Sequence, residues 1–336
     1  MMEAHALDAW TAPAKRHGPL FRNLTVLGGF AAPLFLMLAG LAIALSAARV
    51  LERTGSRRAA VEAVCQRGVE LYLLAFLFRL QAFIVSPGSY PVSLFRVDIL
   101  NIMGPAMVAT GLLWGLLPGR TRAVVGYGAA ALAVALAAPV VRASPHVDLL
   151  PLWLQWYVRP WGDFTTFTMF PWVGFAFVGG ACGSLLAPAR DARDERRVNL
   201  SLAAVGVLVA AVGWYTSTLP TIYRASSFWT TSPTWFLIRA GILLVTLAGL
   251  YAVAQWVRSA ALERLGRNSL FIYWIHVELV YGYATWLIHN RLPLWGTAIG
   301  FVILSLVMYR AIAWRDRLVE AWRHRRLVNY QKPVLP

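Results

Sequence analysis

The sequence predicts an all-α fold, a polytopic bundle of about nine complete transmembrane helices preceded by a partial first one. Three observations predict it. First, 59% of the 336 residues are hydrophobic and only 14% are charged, whereas in soluble domains about 45–50% of the residues are apolar and about 25% are charged. Second, apolar runs of roughly 20 residues, the length that crosses a bilayer, recur along the chain. Third, arginine clusters occupy every second connection between these runs.

The apolar runs predict where each helix lies. We expect spans near 23–47, 68–86, 97–117, 123–141, 166–187, 198–217, 234–256, 268–288 and 294–313. Residues 1–10 are too few to cross a bilayer. We interpret them as the outer end of a helix whose first half is missing, and expect the true start to lie upstream, with ten helices in the complete protein.

The basic clusters predict the orientation. They lie at Arg49–Arg67, Arg120–Arg122, Arg190–Arg197, Arg258–Arg267 and Arg315–Lys332. Lys and Arg stay on the cytoplasmic side of membrane proteins, and here all the clusters can lie inside at once. The C-terminus is then cytoplasmic. We divide the chain into a membrane domain, 1–313, and a basic cytoplasmic tail, 314–336.

Several classes of function lack support. The net charge of +16 comes from arginines that lie between apolar runs, which is typical of topology signals and not of a nucleic-acid-binding surface. The chain lacks the P-loop, nucleophile-elbow and H-E-x-x-H patterns. Cys65 and Cys182 belong to no zinc-binding pattern, so we expect no metal cofactor.

Ionisable groups near or within membrane helices are costly, and each is a candidate functional residue. His5 and Asp8 are three residues apart, so on a helix they share a face. A carboxylate there could orient the imidazole and favour its charged form, as in a general base with its orienting acid. The alternative is a polar helix end in contact with water.

A second pair, Asp98 and Asn101, has the same spacing, and Arg96 is close enough to pair with the carboxylate. Asp98 is predicted either to hold a substrate hydroxyl or a catalytic histidine, or to form an internal salt bridge between helices.

Other polar groups fall within the spans. Tyr273 and His276 share a face, and His276 is either a bundle-facing histidine or half of an interhelical hydrogen bond. Arg79 and Arg239 are each expected to pair with a carboxylate or a carbonyl, or to extend to the membrane surface. Asp163 precedes the fifth span.

Four stretches resemble one family. They are residues 31–45 (AAPLFLMLAGLAIAL), 96–104 (RVDILNIMG), Asp163 with 169–174 (MFPWVG), and 265–276 (LGRNSLFIYWIH). In this order they are similar to the heparan-α-glucosaminide N-acetyltransferase catalytic-domain-like membrane proteins of bacteria. The last stretch also resembles other membrane acyltransferases. Two departures are Asn101, where many members have histidine, and Asp163, which lacks the usual following tyrosine.

The resemblance implies transfer of an acetyl group, from cytoplasmic acetyl-CoA to a glycan or other small acceptor at the outer face of a bacterial inner membrane. It implies a central histidine in the first outer segment. We expect His5 first and His17 second, as a general base or as the site of a covalent acetyl-histidine. Asp8 or Asp98 would orient the imidazole.

The resemblance also leads us to assign the remaining candidates. Asn101 and Asp163 would line the acceptor side, and His276 and Arg239 the path between the two faces. The partners expected are the lipid bilayer, acetyl-CoA and the acceptor, and the sequence allows a homo-oligomer.

Two other classes remain open from sequence. A multi-pass transporter also buries charges in its bundle, although no inverted repeat or pair of broken helices is visible. An inactive membrane scaffold would fold normally and bind no acetyl-CoA.

Overall fold

The computed structural model describes residues 1–86 and 90–330, and Lys332 of the predicted basic tail lies outside them. The described residues form thirteen α-helices. They are α1 (Met2–Trp10), α2 (Pro19–Gly28), α3 (Ala31–Thr54), α4 (Arg57–Val85), α5 (Ile99–Leu116), α6 (Arg120–Ala143), α7 (Leu152–Val158), α8 (Met169–Leu186), α9 (Ala192–Ser217), α10 (Pro233–Ala254), α11 (Ala260–Arg267), α12 (Ser269–Tyr281) and α13 (Leu294–Tyr330).

The helix lengths confirm the predicted all-α polytopic membrane fold. Among the described residues, eight helical segments are long and apolar enough to cross a bilayer, and each coincides with a predicted span. The predicted span 268–288 is different: α12 covers only 13 residues. Its end is at Gly282, whose backbone N–H donates to the carbonyl of Glu278, and a 3-10 helix, Tyr283–Ile288, follows.

The last helix continues beyond the predicted end of the membrane domain. α13 runs unbroken from Leu294 to Tyr330, so residue 313 is inside a helix and the first part of the basic tail extends the same element. The division at 313 and 314 stays a prediction about the membrane boundary.

The chain forms two compact units. The first comprises residues 1–29, 84–86 and 258–330, and the second comprises residues 30–83 and 90–257. In the first unit, α1, α12 and α13 pack together around a buried apolar cluster that includes Trp10, Ile272 and Met308.

The second unit is held by close contact between α3 and α8. A Cβ atom added to Gly40 would lie 1.9 Å from the carbonyl oxygen of Ala176, and one added to Gly179 would lie 1.8 Å from the carbonyl oxygen of Met37. Small residues of this kind let membrane helices approach until their backbones touch. The two helices therefore tolerate no side chain at these positions.

We expect Gly179→Ala to lower the thermal unfolding temperature of the detergent-solubilised protein by several degrees. The added methyl group must force the backbones of α3 and α8 apart, and overpacking of this kind typically costs about 1–3 kcal/mol. Gly249→Ala on α10 is the matched control, because a Cβ there meets no atom within 4 Å. An unchanged unfolding temperature in Gly179→Ala would show that the two helices are not in close contact.

Candidate active site

The first unit places His5 on a helix whose apolar side is buried. Ala6, Ala9 and Trp10 of α1 pack into the apolar cluster with α12 and α13. The Trp10 indole N–H reaches the carbonyl of Val280 at 3.2 Å. These contacts fix the rotation of α1 about its axis and direct the His5 side chain toward α12.

His5 and Asp8 are joined through a tyrosine. The Tyr281 hydroxyl donates to Asp8 Oδ2 at 2.7 Å, and His5 Nδ1 lies 3.1 Å from the same hydroxyl oxygen. A carboxylate only accepts hydrogen bonds, so the hydroxyl proton is directed at Asp8. The hydroxyl oxygen then accepts from His5 Nδ1–H, which leaves Nε2 of His5 with a free lone pair.

Burial also acts on the charge of His5. α1 lies outside the candidate membrane spans, and the loss of contact with water lowers the pKa of His5 to about 4. The expectation that Asp8 favours the charged imidazole is therefore wrong, because desolvation outweighs an exposed carboxylate that touches His5 only through Tyr281. A neutral imidazole at pH 7 can accept a proton, as a general base must.

His276 lies beside His5. Their ring centroids are 5.3 Å apart, and His276 is 1% exposed. Its Nδ1 lies 2.7 Å from the carbonyl oxygen of Ile272 and so carries the proton. The alternative of an interhelical hydrogen bond for Nδ1 is wrong, because Ile272 belongs to the same helix. Nε2 of His276 has no hydrogen-bond partner within the described part of the chain.

Tyr273 contributes to the same face of α12. Its ring packs edge-on against His276, with centroids 5.8 Å apart, and this confirms that the two residues share a face. Two imidazoles and two phenols, from α1 and α12, thus form one cluster in the first unit, which we call the histidine cluster: His5, Tyr273, His276 and Tyr281.

The backbone that follows α1 is tied to the segment before α13. Ala12 N–H donates to the Leu292 carbonyl, and Leu292 N–H donates to the Trp10 carbonyl, both at 2.9 Å. Arg16 donates to the carbonyl of Asp8 at 2.7 Å. These bonds hold the C-terminal end of α1 in place and so position Asp8 for Tyr281.

His17 does not join the cluster. It is exposed in the turn between a 3-10 helix, Pro13–Lys15, and α2. Among the described residues it makes no hydrogen bond or ring contact with His5 or His276. Of the two histidines proposed from sequence for the central chemistry, only His5 therefore lies beside other groups suited to acid–base chemistry.

In the second unit, Asp98 forms an ion pair with Arg79. Both side chains are largely buried, at 6% and 13% exposed. Asp98 also caps α5, accepting from the N–H groups of Leu100 and Asn101, while the Asn101 side chain accepts from Asp98 N–H at 3.2 Å. The Asp98 carboxylate thus contacts Arg79 and the first backbone N–H groups of α5, and these contacts favour the salt-bridge interpretation. The expected partner Arg96 was wrong, since Arg79 takes that place.

Two tyrosines lie close to this ion pair within the second unit. Tyr72 and Tyr157 are hydrogen-bonded at 3.1 Å, and the side chain of Asn101 lies near the Tyr157 hydroxyl. Burial raises the pKa of Tyr157, and the bond to Tyr72 raises it further. Tyr157 also lines a small cavity of about 120 Å³ with Phe76, Phe95 and Trp153.

The two remaining candidates have different surroundings. Asp163 is exposed in a 3-10 turn, Gly162–Phe164. Arg239 is half-buried, with its guanidinium 4.5 Å from the ring centroid of Trp235 and 5.0 Å from that of Phe30. Cation–π contacts of this kind stabilise a charge at the edge of an apolar environment.

Sequence reasoning missed Tyr281, Tyr72 and Tyr157. Tyr281 contacts residues more than 270 positions away, so no local spacing could reveal it. A polar residue at the end of the apolar helix that carries His276 was the one available signal.

Comparison with known proteins supports the resemblance. The family model described as "Heparan-alpha-glucosaminide N-acetyltransferase, catalytic" matches residues 17–223, more than half of the chain. No curated protein matches this chain. The match includes four of the predicted site residues: His17, Asp98, Asn101 and Asp163. It excludes the other four: His5, Asp8, Arg239 and His276. Together with the apolar helices, the match indicates an acetyltransferase-type integral membrane enzyme. The chain belongs to the heparan-alpha-glucosaminide N-acetyltransferase catalytic family.

Proposed function

We propose that the protein transfers an acetyl group from acetyl-CoA, taken from the cytoplasm, to a hydroxyl or amine of a glycan or other small acceptor at the outer face. The family generally uses acetyl-CoA as the donor. The observation that carries the proposal is the linked set His5, Tyr281 and Asp8. It presents a neutral imidazole with a free lone pair, and this is what deprotonation of an acceptor requires.

The proposed step uses His5 as the general base. Nε2 of His5 takes the proton from the acceptor as the acceptor oxygen or nitrogen forms a bond to the acetyl carbonyl carbon. The carbon–sulfur bond of the thioester then breaks, and the imidazolium returns the proton to the departing CoA sulfur. Asp8 holds the Tyr281 hydroxyl proton, so the hydroxyl oxygen accepts from Nδ1–H of His5 and keeps the lone pair of the imidazole on Nε2.

The other candidates have supporting roles in the proposal. His276 lies beside His5, with ring centroids 5.3 Å apart, and belongs to the same part of the site. Asp163, which is exposed, and Asn101, at the start of α5, belong to the acceptor side. Arg239 belongs to the path between the faces. The proposed location is a bacterial inner membrane, with the positively charged connections and the C-terminus in the cytoplasm.

The proposal is tested with acetyl-CoA labelled in the acetyl group. The purified protein is incubated in detergent with a panel of amino sugars and hydroxylated glycans, and labelled products are separated by mass. We expect label in at least one acceptor together with an equal amount of free CoA thiol. Transport of an acceptor into proteoliposomes without consumption of acetyl-CoA would instead support the transporter.

We expect Tyr281→Phe to lower kcat by roughly ten- to a hundredfold, the range typical of groups that fix the orientation and tautomer of a functional histidine. The ring stays, but the link between Asp8 and His5 is lost and the His5 tautomer is no longer fixed. KM should change little, because Tyr281 acts on the base and not on the bound acceptor. The control is Tyr283→Phe, at a tyrosine that is 62% exposed. Equal kcat values in the two variants would remove Tyr281 from the mechanism.

A further inference from the structure

A second cavity lies in the second unit, and no residue of the histidine cluster lines it. Its volume is about 480 Å³, and it is bounded by the end of α9, the segment 219–232 and the start of α10. Half of its lining residues carry a hydroxyl group, and none of those described is charged. The other half are apolar, including Leu136, Ile222 and Phe228.

Three of the seven hydroxyl groups donate their protons to backbone carbonyls. Thr216 donates to the carbonyl of Val212 at 2.7 Å, and Ser217 donates to that of Trp214 at 2.6 Å. Tyr223 donates to the carbonyl of Leu136 at 3.0 Å, which ties the segment 219–232 to α6. What these oxygens offer a ligand is lone pairs. These three oxygens therefore suit a ligand that donates hydrogen bonds.

The position of the cavity points to a ligand carried by the membrane. α9 begins within the arginine cluster Arg190–Arg197 and ends at the cavity, so the positive-inside rule assigns the cavity to the outer face. Trp214, just before the lining residue Thr216, and Trp229, within the segment 219–232, are 69% and 60% exposed. Tryptophan is enriched where a protein crosses from hydrocarbon to headgroups.

We propose that this cavity binds the neutral, polyhydroxylated headgroup of a membrane amphiphile, that is, a sugar-bearing lipid. The sugar hydroxyls donate to Thr216, Ser217 and Tyr223. The apolar wall, with Phe228, covers the sugar ring and the first part of the alkyl chain. A free sugar lacks the alkyl chain, and an anionic headgroup finds no positively charged side chain among the described lining residues. The proposal concerns binding alone and does not depend on acetyl transfer.

The test is photolabelling of the full chain in phosphatidylcholine nanodiscs with a photoactivatable alkyl maltoside at low mole fraction. We expect labelled peptides to fall within residues 216–237. Unlabelled dodecyl maltoside should displace the probe, whereas free maltose and phosphatidylglycerol should not. Labelling spread along all lipid-facing helices, or equal displacement by phosphatidylglycerol, would overturn the proposal.

Variants make the test specific to the hydroxyl groups. Thr216→Val and Ser217→Ala should each weaken saturable labelling roughly fivefold, the effect of one lost hydrogen bond. Thr246→Val is the matched control, because its hydroxyl makes the same type of bond, to the carbonyl of Ile242 at 2.8 Å, but lies outside the cavity. Thermal unfolding confirms that each variant is folded. Labelling of equal affinity in folded Thr216→Val and Thr246→Val would also overturn the proposal.

Discussion

His5→Ala is expected to reduce acetyl transfer by about 10²–10⁴-fold, the contribution typical of a positioned general base. The variant should stay folded, because the apolar contacts of α1 come from Ala6, Ala9 and Trp10. Initial rates with labelled acetyl-CoA measure the loss, and thermal unfolding measures the fold.

His17→Ala is the matched comparison for this variant. His17 is exposed and lies apart from the imidazole and phenol groups of the histidine cluster, so its loss should leave the rate near that of the unmodified protein. A His17→Ala variant that loses activity while His5→Ala retains it would transfer the central role to His17.

Asp98→Ala is expected to destabilise the protein by about 3–5 kcal/mol, because it leaves the buried guanidinium of Arg79 without its carboxylate. The same change removes the cap of α5, which typically contributes about 1 kcal/mol. The fraction of protein that stays monodisperse after heating in detergent measures the loss.

A double variant separates a structural role of Asp98 from a catalytic one. Arg79→Met with Asp98→Asn removes both charges and keeps an amide that can accept from the N–H groups at the start of α5. We expect it to regain most of the stability and to keep transferring acetyl groups. A folded double variant without activity would show that the Asp98 carboxylate is needed for the chemistry.

The membrane fold was largely predictable because a bilayer imposes a simple rule on the sequence. A spanning helix must satisfy its backbone internally and present about 20 apolar residues, and eight of the nine predicted spans follow that rule. The exception, 268–288, is mostly apolar, so composition could not show that α12 ends at Gly282.

The candidate site was less predictable because its contacts join distant parts of the chain. The spacing of Asp98 and Asn101 correctly placed them together, and both now form the cap of α5. The same spacing in His5 and Asp8 gave the correct face but not the link, since Tyr281 comes from the other end of the chain. The burial that keeps His5 neutral depends on α12 and α13, and no local pattern contains it.

Binding of acetyl-CoA is the most direct test of the acetyltransferase assignment, because it requires no knowledge of the acceptor. Isothermal titration calorimetry of the purified, folded full chain in detergent measures it, with free CoA as the control. We predict saturable binding of acetyl-CoA at one site per chain, retained in His5→Ala, since the base acts on the acceptor. The absence of saturable heat in protein that unfolds cooperatively would contradict the assignment and favour a transporter or an inactive scaffold.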